Sequence, residues 1–75
     1  MTFEEAKKEI ETHYYATVEE TEDEIVVHQG DCKITFNKKT HYYTALGYGG
    51  ELSFTTYPIY EPWRALIKAW IGETE

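Results

Sequence analysis

A chain of 75 residues with a formal net charge of −7 and twelve aromatic rings (two Trp, three Phe, seven Tyr) is too acidic to favour nucleic acid or anionic membrane surfaces. It is also too aromatic for a disordered acidic segment. One cysteine excludes an internal disulfide, so side-chain packing must supply the core of what reads as a single domain over residues 1–75. No apolar run approaches the ~20 residues that span a bilayer, and a free thiol without a secretory signal fits a soluble cytoplasmic protein.

The first element is a helix. Thr2 followed by Glu5 makes a capping box, and Phe3, Ala6, Ile10, His13 and Tyr14 gather on one face at 100° per residue. Glu4, Glu5, Lys8, Glu9 and Glu11 take the other face, with Glu4 and Lys8 spaced to pair one turn apart. The helix should fade near Tyr15. From residue 16 the apolar period switches to two. Thr17–Glu20 is a weak strand, Thr21–Asp23 a turn, and Glu24–His28 a strand with Ile25 and Val27 on one face and Val26 and His28 on the other. After a turn at Gln29–Asp31, Cys32–Asn37 alternates cleanly, with Cys32, Ile34 and Phe36 inward. Asn37–Thr40 is a further turn, His41–Leu46 a fourth strand, Gly47–Gly50 a loop, and Glu51–Tyr57 a fifth strand. Strands so close in sequence cannot be parallel, so the sheet is an antiparallel meander. A last helix starts around Pro62 and should stop at Gly72, with Trp63, Leu66, Ile67, Trp70 and Ile71 on its apolar face. The expected fold is therefore a small α+β domain of four to five strands flanked by an N-terminal and a C-terminal helix.

The charge is lopsided. Residues 1–31 hold ten carboxylates against Lys7 and Lys8, a balance of −8, and residues 32–75 balance at +1. Glu19, Glu20, Glu22, Asp23 and Glu24 surround the first hairpin turn. They lack the alternating oxygen ligands and closing Glu of a calcium loop, and carboxylates around an exposed turn are solvated rather than pushed apart in pKa. Gly47-Tyr48-Gly49-Gly50 has no Lys-Ser/Thr and opens no helix, so it is not a phosphate loop, and the motif of GIY-YIG nucleases is absent from the Tyr- and Gly-rich stretch around it. The element order resembles that of double-stranded-RNA-binding domains. Their Lys-rich entry to the last helix is replaced here by Tyr60-Glu61-Pro62-Trp63, and the acidic balance opposes a polyanion.

Nucleophilic chemistry has few candidates. His28 and Cys32 flank one turn and, with Glu51, are the residues to test for a small enzyme, but they assemble neither a triad nor a zinc set. A buried structural Cys32 is expected; no catalytic residue, metal or cofactor is assigned. Seven tyrosines exceed one small core. Neighbours Tyr42 and Tyr43 must face opposite sides of the sheet, and tyrosines are enriched in protein interfaces. An aromatic open face beside an acidic edge is the expected docking surface, with Tyr42, Tyr43 and Tyr48 as the candidate binding tyrosines.

These features favour a non-enzymatic module that binds a basic protein surface. In the sharper form, by analogy with phage anti-restriction and anti-CRISPR proteins, Glu4, Glu9, Glu11 and the 19–24 carboxylates take phosphate positions in a nucleic-acid enzyme's channel. Two alternatives are a homo-oligomeric assembly protein, a dimer through the sheet for instance, and an immunity or antitoxin protein that neutralises a basic toxin.

Overall fold

A capping box opens the chain. The Thr2 hydroxyl accepts from the Glu5 amide at 3.1 Å, and the Glu5 carboxylate accepts from the Thr2 amide at 2.9 Å, starting helix α1 (Phe3–His13). The structure, a computed structural model, describes residues 1–74, and of Glu51 the backbone alone. Strands β1 (Thr17–Glu20), β2 (Glu24–Gln29), β3 (Cys32–Asn37) and β4 (Tyr43–Leu46) follow. Then come a single helical turn, α2 (Glu51–Phe54), and the long helix α3 (Tyr60–Thr74). This is an α+β fold whose four strands form one antiparallel meander in the order β1-β2-β3-β4.

Register divides the sheet into two faces. Val18, Val27, Ile34 and Ala45 align across the four strands, and Glu20, Ile25, Phe36 and Tyr43 form the next row on the same side. This face carries the core. Ile25, Val27 and Ile34 are fully buried and join Phe3, Ala6 and Ile10 of α1 and Trp63, Leu66 and Ile67 of α3 in one hydrophobic cluster. Each buried side chain of this size contributes about 1.5–3 kcal/mol. Both long helices thus lie on the inner face, as the apolar stripes imply.

The end of α3 departs from expectation. Gly72 does not stop it, and the helix continues to Thr74. The Thr74 hydroxyl donates back to the Trp70 carbonyl at 3.0 Å, and Glu73 Oε1 accepts from the Phe3 amide at 3.1 Å. A carboxylate at the positive end of α1 is favourably placed, so contact between the two helix ends outweighs the local stop signal. At its start, α3 begins at Tyr60, two residues before Pro62. Pro62 lies within the first turn, where its missing N–H costs nothing.

The expected fifth strand is not formed. Glu51–Phe54 is a helical turn closed by the Phe54 amide on the Gly50 carbonyl at 3.1 Å. The Thr55 and Thr56 hydroxyls, within the expected strand, bond back to the carbonyls of Leu52 and Ser53 at 2.8 and 2.7 Å, a local alternative to a ladder. The turn buries Phe54 completely among Tyr43, Tyr48, Tyr60 and Trp63. The fourth strand is shorter than its pattern, because His41 takes a left-handed φ of 63° and its amide closes the turn on the Asn37 carbonyl at 2.8 Å.

Candidate protein-docking surface

The acidic turn between β1 and β2 lies against the basic turn between β3 and β4. Lys38 Nζ donates to Glu20 Oε2 at 2.7 Å and to the Thr21 carbonyl at 2.6 Å, and stands 5.6 Å from the centre of the Trp70 ring. Its side chain is 13% exposed, so this cation is built into the fold. Lys39 pairs with Asp23 at 3.3 Å, with both side chains largely exposed. Glu20 and Asp23 are therefore neutralised locally. Among the described residues, Glu19, Glu22 and Glu24 have no ion-pair partner.

The α1 carboxylates have other occupations. Glu5 is held below the usual carboxylate range by its hydrogen bond from the Thr2 backbone and a second from the Thr2 hydroxyl. Glu11 Oε2 accepts from the Val18 amide at 3.4 Å, covering one free N–H on the edge strand, where an open donor invites foreign strands. Glu9 lines an apolar cleft of about 230 Å³ between α1 and α3, together with Met1, Tyr14, Glu61 and Pro62. Glu4 is exposed, and its expected pairing with Lys8 does not close within 4 Å among the described residues. Lys7 and Lys8 share the surface with these acids. Of the hairpin carboxylates, Glu19 and Glu24 lie on the face of the sheet opposite α1, whereas Glu20 belongs to the inner row.

Among the described residues no helix packs on the outer face. Alternation and register place Thr17, His28, Lys33 and Leu46 in one row across it, and Glu19, Val26, Thr35 and Thr44 in the next. Glu24 and Asn37 lie beyond, and the Asn37 amide donates to the Tyr42 carbonyl at 2.8 Å. At this end Glu24, Thr35, Asn37, Thr40, Tyr42 and Thr44 line a hollow of about 240 Å³. Two groups singled out from the sequence for docking, Glu24 and Tyr42, thus meet in one concavity, with Glu19 in the adjoining row.

The tyrosine-covered open face is not formed. Tyr42 is 78% exposed, but Tyr43 packs inward, with ring centres 4.8 Å from Trp63 and 5.8 Å from Phe54. Tyr48 is buried. Its hydroxyl donates to Gln29 Oε1 at 3.4 Å, and burial first, then the nearby Cys32 thiol, push its pKa up to about 12. Gly47 makes this possible: at φ +81° a Cβ there would stand 3.0 Å from the Asp31 carbonyl oxygen and 3.2 Å from the Cys32 Cα, so the chain turns back tightly and tucks Tyr48 inside.

Cys32 is half-buried rather than in the core, and its thiol donates to the Gly47 carbonyl at 3.1 Å. His28 belongs to the outer face, away from it, and the Glu51 side chain lies outside the described residues. Among the described residues no three His, Cys, Asp or Glu side chains gather as metal ligands, and no helix is long and apolar enough to cross a membrane. No protein-family profile, curated protein or solved structure matches this chain.

Proposed function

We propose that the chain is a non-enzymatic, acidic binding module that docks a basic protein surface on its outer sheet face. The sharper form is inhibition of a nucleic-acid-handling enzyme by occupation of its phosphate-binding channel, in the manner of phage anti-restriction and anti-CRISPR proteins. The observation that carries the reading is the sorting of the hairpin carboxylates. Glu20 and Asp23 are engaged by Lys38 and Lys39, while among the described residues Glu19, Glu22 and Glu24 have no ion-pair partner, and Glu19 and Glu24 lie on the outer face. Free carboxylates in an array steer a cationic partner and raise its association rate, and the apolar and aromatic groups beside them lengthen the complex's lifetime. On this reading Glu4 and Glu9 contribute to the long-range field, and Glu11 serves the fold.

The experiment is affinity capture from a host lysate, with elution by double-stranded DNA and separately by salt. Release of a nucleic-acid enzyme by DNA supports channel occupation. A partner released by salt but indifferent to DNA supports the broader module, including neutralisation of a basic toxin, and removes the mimicry. Self-association is the rival with an observation behind it, since Leu46 on the same face is 61% exposed. A dimer in light scattering that persists at high salt would favour it.

A further inference from the structure

We infer that the hollow at the Tyr42 end of the outer face is a receptor for one arginine side chain of the partner. The inference rests on the reading of this face as a docking surface and specifies what it grips. Three features point to a guanidinium. Glu24 is half-buried at the hollow and, among the described residues, has no ion pair, so a single carboxylate awaits a cation. Tyr42 presents an exposed ring at the same hollow, and Arg stacks on aromatic faces as well as pairing with carboxylates. The remaining lining supplies acceptors. The Thr35 and Thr44 hydroxyls enter no hydrogen bond within the described residues, whereas Asn37 Oδ1 is already occupied by the amides of Lys39 and Thr40 at 2.8 and 3.0 Å.

Other occupants fit less well. The planar guanidinium, with five donors in a fixed fork, can pair with Glu24 and reach a threonine hydroxyl while lying on a ring, whereas an ammonium is a compact point charge that does not stack. A phosphate would meet the Glu24 carboxylate, and one carboxylate among hydroxyls is a poor divalent-cation site. The neighbouring Lys39 is engaged by Asp23.

The test uses two short capped peptides of equal charge, one alternating Gly with Arg and one alternating Gly with Lys, titrated into the intact protein at low salt. The hollow predicts that the Arg peptide binds at least about threefold more tightly, with amide shifts centred on Glu24, Asn37, Tyr42 and Thr44. Glu24→Gln and Tyr42→Ala should erase that preference, and Tyr42→Phe, which keeps the ring, should retain it. Weak binding of both peptides should survive Glu24→Gln through the remaining carboxylates. Equal affinity for the two peptides, or a preference that survives Glu24→Gln, would overturn the hollow while leaving the acidic docking surface standing. Failure of both peptides to bind would overturn the hollow and the docking reading together.

Discussion

Tyr42 and Tyr43 are consecutive residues with opposite fates. Tyr43 turns inward against Phe54 and Trp63, while Tyr42 stands in solvent at the edge of a polar hollow. The same division runs along the whole sheet. The inner face stacks Val, Ile, Phe and Ala under two helices. The outer face alternates Thr, His, Lys and Glu around Val26, and among the described residues its carboxylates have no ion pair. On the proposed reading, stability and recognition fall on opposite sides of one sheet. Changes on the inner side should cost folding free energy, and changes at the exposed groups of the outer side, Tyr42 above all, should cost only binding.

Phe54→Ala breaks the inner side most severely. It empties a fully buried site ringed by four aromatics and should cost about 3–5 kcal/mol in urea unfolding. Tyr42→Ala should stay within about 0.5 kcal/mol. Gly47→Ala should follow at about 1–3 kcal/mol, because it combines a left-handed φ with a Cβ pressed on the Asp31 and Cys32 backbone. Lys38→Met comes next, at about 1–2 kcal/mol, since it removes a largely buried cation held by Glu20, the Thr21 carbonyl and Trp70. Lys39→Met removes only an exposed pair and should cost less than about 0.5 kcal/mol.

The last effect is a shape in pH. The Tyr48 phenol has its pKa raised to about 12 in the fold, above the ~10 of an unfolded tyrosine. Between these values the native state binds more protons than the unfolded chain, so stability is complete below pH ~10 and declines as pH rises toward 12. The melting temperature should fall across that window, and Tyr48→Phe should flatten the fall. An unchanged alkaline slope in that variant would show that Tyr48 is not the group responsible.

Much of this architecture was legible in the sequence because its signals are local. The Thr2–Glu5 capping box, the alternation at Ile25–Val27 and Ile34–Phe36, and the apolar stripe from Trp63 to Ile71 each specify an element within a few residues. The failures occur where distant contacts decide. Thr55 and Thr56 suggest a strand, yet their hydroxyls close turns once Phe54 finds its aromatic cage. Gly72 suggests a stop, yet Glu73 reaches the Phe3 amide across the molecule. Tyr48 in a glycine-rich loop suggests exposure, and only the close pass of Gly47 against Cys32 tucks it inside. In the candidate site, alternation alone separates Tyr42 from Tyr43. The sequence could not reveal that Lys38 and Lys39 would neutralise Glu20 and Asp23, because those partners come together only when the two hairpin turns meet.

That pairing selects the carboxylates for the decisive measurement. Reversing Glu20 would set a lysine against Lys38 and confound folding with binding, so the informative reversal is that of the two outer-face carboxylates, Glu19→Lys and Glu24→Lys together. It should be compared with Glu4→Lys and Glu9→Lys on α1, with circular dichroism to show that both variants fold. Affinity for the captured basic partner is then measured at fixed ionic strength. The account predicts that the outer-face reversal abolishes binding, while the α1 reversal weakens it only through the overall field. Undiminished binding by the folded outer-face variant would contradict the assignment of recognition to this side of the sheet.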